Sequence, residues 1–319
     1  MSNLDASVEV MASAAAERDL TPVVEVLTPR AVMLGPHQEV RRVLPNRDRR
    51  MIGAWCFVDH YGPEDVSGDV GMWVPPHPHT GLQTVSWLMS GEIRHRDSLG
   101  NVAEVRPGEL SLMTAGPGIA HSEKSPAGHS ALLHGLQLWL ALPSPAREVA
   151  PRDFAQYGDL PLVEMPGLTA RIVTGELLGQ VSPALSYSPL LGAELGMHGA
   201  AEVPIRPAFE HGVLAISGEV AVEGQRLAPS EICYLGGRRE RLSIEGSGKA
   251  FLLGGEPFAE DLVMWWNFVG RSHEEIVALR QAWNSGGGEQ FGPVQDFDSD
   301  RLAAPPMPTV QLKPRGRHR

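Results

Sequence analysis

The sequence predicts an all-β protein made of two similar domains in tandem. The chain of 319 residues contains 35 glycines and 27 prolines, and these residues separate short apolar runs as tight turns separate strands. This length indicates about two domains, each large enough to bury a core. The second half of the chain also repeats, in weakened form, a pattern of the first half. Together these observations favour two sandwich or barrel domains.

The first elements lead into the first domain. Residues 1–20 are rich in alanine, serine and glutamate and predict a mobile or weakly helical N-terminal arm. A strand pair is expected within residues 23–33, followed by an apolar strand over residues 52–58. The first domain is expected over residues 21–143, because the proline-rich segment 143–145 is the best linker signal in the chain.

The stretch from residue 77 to residue 123 carries the strongest functional pattern. His77 and His79 are two residues apart at its start, and His121 and Glu123 are two residues apart at its end. Successive strand residues point to opposite faces, so each pair would share one face of its strand. If both strands line one cavity, three imidazoles and one carboxylate converge. This predicts one mononuclear metal site.

The donor set limits the kind of metal but does not select one. Imidazole with carboxylate suits iron, copper, nickel or zinc, and no thiolate lies nearby to favour a structural zinc site. The alternative interpretation is a set of polar loop residues that bond to the backbone. Taken singly, each residue would fit that alternative; the two pairs that bracket a hairpin favour metal binding.

The second domain, expected over residues 144–290, repeats the pattern without its ligands. Residues 215–220 echo residues 88–93. Carrying that offset back places Pro204 and Arg206 where the first two histidines stood. Because an arginine cannot ligate a cation, the second domain is predicted to have lost its metal.

A short helix is predicted after the second domain. Ser272 and Glu275 have the spacing of a capping box. The apolar face of this helix would consist of Ile276, Leu279 and Trp283. Residues 291–319 are rich in proline and predict an extended tail.

Composition excludes several function classes. The formal charge of −11 argues against a general nucleic-acid surface, since phosphate binding needs clustered basic residues. The basic residues at 313–319 are interpreted as a solvated tail. Cys56 and Cys233 lie in apolar surroundings, which indicates a reducing compartment rather than a disulfide framework. No signal peptide and no apolar run of membrane-spanning length is seen, so a cytoplasmic location without membrane contact is expected.

A set of motifs in fixed order resembles the pirin family. They comprise His77-Pro78-His79, residues 91–100, Arg106-Pro107-Gly108 and residues 113–123, with residues 59–63 upstream, residues 134–139 downstream and weaker matches at 267–269 and 274–276. Pirins belong to the cupin superfamily and hold two cupin domains in one chain. The resemblance covers most of the chain and implies two tandem cupin (jelly-roll) β-barrels with a short C-terminal helix.

The resemblance also implies a metal and its ligands. It implies one iron, most simply Fe(II), although other divalent transition metals also suit the donors. The implied ligands are His77, His79, His121 and Glu123. Many pirins have arginine and glutamate where this chain has Thr80 and Gln83, and these departures affect the expected substrate more than the ligation.

Two roles follow from the resemblance. In the first, the chain opens a flavonol or catechol-like ring with dioxygen, as in quercetin 2,3-dioxygenase, and Glu123 also serves as a catalytic base. In the second, it is a redox-sensitive iron-dependent regulator that binds a transcription factor or a metabolic enzyme. A third interpretation is an inactive cupin whose metal only stabilises the domain.

The sequence also predicts the surroundings of several further side chains. The pocket beside the metal is expected to be lined by Met72, Trp73, Leu82 and Met113. His95 lies between two arginines near a turn and is expected at the surface. Glu210 and His211 are interpreted as a hydrogen-bonded polar pair near the second core.

Overall fold

Residues 11–13, 21–34 and 38–313 are described by the structure, a computed structural model, and most of their regular structure is β-strand. The first half contains β1 (Met11–Ser13), β2 (Glu25–Leu27), β3 (Arg30–Leu34), β4 (Gln38–Leu44), β5 (Trp55–Asp65), β6 (Trp73–His79), β7 (Leu82–Ser90), β8 (Ile93–Asp97), β9 (Val102–Val105), β10 (Leu110–Thr114), β11 (Ile119–Lys124) and β12 (Leu132–Ala141).

The second half contains α1 (Ser144–Arg147), β13 (Asp153–Tyr157), β14 (Leu162–Met165), β15 (Leu168–Leu177), β16 (Gln180–Val181), β17 (Leu190–Met197), β18 (Gly199–Pro204), β19 (Glu210–Val222), β20 (Gln225–Leu227), β21 (Ile232–Gly236), β22 (Arg241–Gly255), β23 (Leu262–Trp265), β24 (Phe268–Gly270), α2 (His273–Asn284) and α3 (Gly288–Phe291). Within the described ranges, no helix is both long enough and apolar enough to cross a membrane.

Two antiparallel sheets form the first domain. The larger has the strand order β13-β10-β7-β12-β5-β4-β3, and the smaller has the order β6-β11-β8-β9. Strands distant in sequence, such as β5 and β12, lie side by side, as expected for a two-layered jelly roll. The sheets keep open edges and do not close into a continuous barrel. The all-β jelly-roll prediction is confirmed.

The second domain repeats this plan with longer strands. Its central strands have the order β15-β17-β22-β19-β21, which corresponds in sequence to β4-β5-β12-β7-β10 of the first domain. Both β19 and β22 extend beyond this sheet, where they pair with β20 and β18 respectively. The domains therefore share one succession of strand pairings.

Each half of the chain gives an edge strand to the other half. Strand β2 pairs with β21 in the second domain, and β13 pairs with β10 in the first. The expected strand pair within residues 23–33 is therefore wrong: β2 and β3 belong to different sheets. Residues 1–10 and 14–20 of the expected N-terminal arm lie outside the described residues, whereas β1 pairs with β23.

The two domains meet through a shared apolar core and buried polar contacts. Trp55 donates its indole N–H to the Leu191 carbonyl at 3.1 Å. At one edge of the interface, the Ser230 hydroxyl lies 2.6 Å from Arg41 Nε and 2.8 Å from His60 Nδ1. Burial is the main reason that the pKa of His60 falls to about 3. These contacts fix the domains against each other at their cores.

The C-terminal segment packs on the first domain. Ser272 caps α2 by accepting a hydrogen bond from the Glu275 amide, and Ile276, Leu279 and Trp283 are buried, as predicted. Trp283 donates its indole N–H to the Leu302 carbonyl at 2.7 Å. The Leu302 amide in turn donates to the Pro76 carbonyl on β6 at 2.8 Å. One backbone hydrogen bond therefore joins the tail, which the structure describes as far as residue 313, to an edge strand.

We expect the Gly135→Ala substitution to destabilise the first domain. Gly135 lies opposite the buried Tyr61 in the β5–β12 pairing, and an added Cβ would lie 2.3 Å from the Tyr61 hydroxyl oxygen. Overpacking should lower the free energy of unfolding by about 1–3 kcal/mol in urea denaturation. Gly68→Ala is the control, because Gly68 has open space around its Cβ position. Equal effects of the two substitutions would contradict this account.

Candidate metal centre

Three histidines meet on the two adjacent strands β6 and β11. His121 is the direct partner of His77 across the pair, and Ile119 is the partner of His79. The ring centroids of His77 and His121 are 4.3 Å apart, and each lies 5.0 Å from that of His79. All three side chains are buried, and their ligand nitrogens lie within 4.8 Å of one another.

The prolines of β6 agree with its position at the edge of the sheet. Proline cannot donate to a strand ladder and is therefore confined mainly to edge strands and bulges. Strand β6 is an edge strand, and its register against β11 shifts between His121 and Glu123. At this shift, two steps along β11 match three steps along β6, from His77 to Val74. The edge position makes this irregular strand possible.

In each of the three rings, Nδ1 has a hydrogen-bond partner. This partner determines which tautomer the ring adopts and leaves Nε2 available as an acceptor. His77 Nδ1 donates to the Pro75 carbonyl at 2.9 Å, and His79 Nδ1 donates to the Asn267 carbonyl at 3.2 Å. A neutral imidazole that donates from Nδ1 keeps a lone pair on Nε2. Both Nε2 atoms are buried and have no hydrogen-bond partner among the described residues.

His121 is oriented by a chain of side chains. Its Nδ1 lies 3.4 Å from His95 Nδ1, and His95 Nε2 lies 3.1 Å from the Asp97 carboxylate. His95 can donate to Asp97 and accept from His121, which leaves the lone pair of His121 on Nε2. His121 Nε2 is likewise buried and has no hydrogen-bond partner in the described part of the chain.

The expectation that His95 lies at the surface is wrong. His95 is 3% exposed, and its ring stacks on Phe154 at a centroid distance of 4.0 Å and an angle of 11°. Phe154 belongs to β13, the strand that the second half gives to the first sheet. The neighbouring arginines suggested a polar surface, but strand alternation turns His95 inward.

Electrostatics keep the three imidazoles neutral and ready to bind a cation. Burial lowers the pKa of His79 to about 3. It also lowers the pKa values of His77 and His121 well below their ordinary range, and the neighbouring histidines add to this effect. Three buried acceptors without a donor cost free energy. A metal ion would compensate all three at once, so the residues fit a metal site.

Glu123 lies beside this group but outside it. The carboxylate is 4% exposed and follows His121 on the same face of β11. It is not one of the residues whose ligand atoms lie within 4.8 Å of one another. Its charge raises the pKa of His77 against the larger effect of burial. Glu123 as the fourth ligand therefore stays a prediction.

Two residues that lie beside the candidate metal ligands were not identified from the sequence. The Asn267 carbonyl, which holds His79, lies in the turn between β23 and β24. Tyr61 is buried, and burial together with the Glu123 carboxylate raises the pKa of its phenol well above the usual value. Both lie in segments that carry the resemblance to pirins, but that signal does not assign a role to either side chain.

The two departures from the pirin pattern are buried. Thr80 and Gln83 are 2% and 1% exposed. The Gln83 amide donates to the Thr114 hydroxyl at 3.0 Å and to the Leu185 carbonyl at 3.2 Å. The Thr80 carbonyl accepts from the Val269 amide. These residues join the first domain to segments of the second half.

The expected pocket-lining residues divide into two groups. Met72, Leu82 and Met113 are buried in apolar clusters. Trp73 lies in an outer cleft of about 520 Å³ that also contains Arg94, Arg96 and Lys124 among its lining residues. Lys124 Nζ lies 4.6 Å from the centroid of the Trp73 ring. These residues stay a prediction as the lining of a substrate pocket.

The second domain differs from the first at the corresponding place. Pro204 ends β18, and Arg206 is ion-paired with Glu176 at the surface. The interpretation of Glu210 and His211 as a hydrogen-bonded pair is wrong. Glu210 accepts from the Gly53 amide and the Tyr234 hydroxyl, whereas His211 points into the second domain, since successive strand residues alternate.

Comparisons with known proteins agree with the fold. The family model for pirin matches residues 37–140, and the model for the pirin C-terminal cupin domain matches residues 191–290. A crystal structure of quercetin 2,3-dioxygenase from Acinetobacter baumannii is similar with a TM-score of 0.87 and 37% identity, over 91% of this chain and 98% of that chain.

Two relatives support the same assignment. A Pseudomonas aeruginosa protein that is provisionally named a quercetin 2,3-dioxygenase is 43% identical, over 97% of this chain and 98% of its own length. The pirin of Homo sapiens is 33% identical, over 76% of this chain and 85% of its own length. With both domain models matched in order and the cupin jelly roll present in each half, this chain belongs to the pirin family.

Proposed function

We propose that this chain is a cytoplasmic iron-dependent dioxygenase of the quercetin 2,3-dioxygenase type. The observation that carries the proposal is the meeting of three buried, neutral histidines whose Nε2 atoms have no hydrogen-bond partner among the described residues. The similar crystal structure of a quercetin 2,3-dioxygenase supports the choice of a flavonol as substrate. Both cysteines are free and buried, which agrees with a reducing compartment.

Iron is the metal that the resemblance to pirins implies, and it is compatible with the proposed ligands. His77, His79 and His121 would hold the metal, with Glu123 as the fourth ligand. Imidazole and carboxylate ligands with open positions are typical of non-haem Fe(II) oxygenases. The bound ion would supply Lewis-acid chemistry and a common point of attachment for the oxygens of the substrate and for dioxygen.

The residues around the site would orient the reactants and handle the proton. The Pro75 and Asn267 carbonyls and the His95 ring keep each proposed ligand in one tautomer. The Glu123 carboxylate would take the proton from the enolic hydroxyl of the flavonol when it is not bound to the metal. Loss of this proton leaves a negative charge on the oxygen of the flavonol. The neutral histidines would not compensate this charge, so the bound cation would be needed to stabilise it.

We expect one equivalent of iron per chain, bound by the first domain only. Protein reconstituted anaerobically with excess Fe(II) should contain about one iron by elemental analysis. His121→Ala should lose this iron, because it removes one of the three converging nitrogens. His198→Ala is the control, since His198 is exposed on the second domain. Two equivalents, or one equivalent retained after His121→Ala, would refute the single site.

The His95→Phe substitution should weaken iron binding without removing a ligand. Phenylalanine can still stack on Phe154, but it offers no acceptor to His121 Nδ1. Loss of such an orienting partner lowers metal affinity roughly 10–100-fold. Competition with a chromophoric chelator measures the change, and circular dichroism checks the fold. Unchanged iron affinity in a folded variant would show that His95 does not orient His121.

The Glu123→Gln substitution should abolish flavonol oxidation. A neutral amide is a poorer ligand and a much weaker base, so quercetin-dependent oxygen uptake should fall by roughly 100-fold or more. Glu202→Gln is the control, because Glu202 is exposed on the second domain. Oxygen uptake is followed with an electrode, and the iron content is measured in parallel. Unchanged turnover in Glu123→Gln would remove Glu123 from the mechanism.

The same assay separates an enzyme from a regulator. If the iron-loaded protein consumes neither quercetin nor other flavonols or catechols, the proposed activity is wrong. A regulatory role would then require that the ferrous and ferric proteins differ in affinity for a protein partner, because a switch needs differential binding between its two states.

A further inference from the structure

The second domain contains a cavity that the proposed iron chemistry does not use. Its volume is about 220 Å³. Its apolar lining consists of Leu177, Leu178, Leu191, Ile205 and Phe209. Pro204 and Arg206 also line it, and these are the residues that the internal repeat places opposite His77 and His79. The cavity is therefore the counterpart, within the second domain, of the region where the first domain gathers its histidines.

One buried polar side chain faces this cavity without a partner. His211 lines the cavity, is 0% exposed, and has no hydrogen-bond partner for either ring nitrogen among the described residues. Burial lowers its pKa to about 4, so the ring is neutral at pH 7. One ring nitrogen can then donate a hydrogen bond and the other can accept one. A polar group left in this state costs free energy unless a ligand or water completes it.

The backbone makes room for this imidazole. His211 on β19 lies opposite Gly254 on β22. A Cβ built on Gly254 would lie 3.0 Å from His211 Cδ2, which is tighter than ordinary contact. The ring therefore lies close against a glycine of the neighbouring strand, and its position is fixed by packing rather than by a hydrogen bond to the described residues.

The rim of the cavity contains a strained residue. Leu178 and Gly179 form the two-residue turn between β15 and β16, and Leu178 has a φ of 52°. Such turns favour asparagine or glycine, because other residues rarely adopt positive φ. The Leu178 side chain is partly buried against the apolar interior of the second domain. The partial burial of this side chain offsets the cost of the positive φ, and it places an apolar group at the mouth of the cavity.

We propose that this cavity binds a small neutral molecule with an apolar body and one hydroxyl group, of the size of a substituted phenol. A hydroxyl group both donates and accepts, so it complements a neutral imidazole. A charged ligand fits less well, because the Arg206 guanidinium at the rim is already paired with Glu176 and is half exposed. The cavity volume accommodates one ring with a short substituent and excludes a flavonol, whose three rings need more space.

Two probes of equal shape test the hydroxyl contact. Isothermal titration calorimetry compares 4-methylphenol with 1,4-dimethylbenzene on the full-length protein. His121→Ala is used as the background, so that a phenol cannot bind iron in the first domain. We expect 4-methylphenol to bind roughly fivefold to tenfold more tightly, the value of one hydrogen bond to His211. Equal affinities for the two probes would overturn the proposal.

Two substitutions locate the binding. His211→Phe on the same background should remove the preference for 4-methylphenol, and Ile205→Trp should prevent binding of both probes by filling the cavity. Binding that survives Ile205→Trp would overturn the proposal. Because the iron site is disabled throughout, failure of this test leaves the iron proposal untouched, and failure of the iron experiments leaves this one untouched.

Discussion

The candidate metal centre depends on the hydrogen bonds that the three histidines make through their Nδ1 atoms. Each bond uses the Nδ1 atom, so each Nε2 lone pair is left for the point where the three rings meet. Without those partners the rings could turn and satisfy themselves with the nearest donor. The sheet order, the proline-rich edge strand and the packing of the C-terminal hairpin all serve to keep these partners in place.

Those partners come from the entire chain. His79 depends on a carbonyl in the turn between β23 and β24, and His95 depends on the stacked ring of Phe154 from β13. The second half of the chain lacks the ligand pattern, yet two of its segments, β13 and the β23–β24 turn, supply contacts that order the histidines of the first domain. Loss of either contact would loosen one ring of the histidine cluster.

Local sequence patterns were sufficient to predict the convergence of the histidines and the cap of α2, because both depend on the fixed periods of strands and helices. Partners far apart in sequence were not accessible in this way. The stacking of His95 on Phe154 joins residues whose pairing is set by strand exchange, and the arginines around His95 suggested exposure. The pairing assumed for Glu210 and His211 failed because adjacent strand residues face opposite sides, so one reaches the domain interface and the other the interior.

Strand exchange has a consequence for the order of events during synthesis. The three histidines leave the ribosome long before residue 154, and residue 267 follows after a further stretch of more than one hundred residues. Until then, the rings of His79 and His95 lack their outer supports. The nascent first domain therefore cannot present an ordered set of nitrogens to a metal. The support of His79 is therefore complete only after residue 267 has joined the fold.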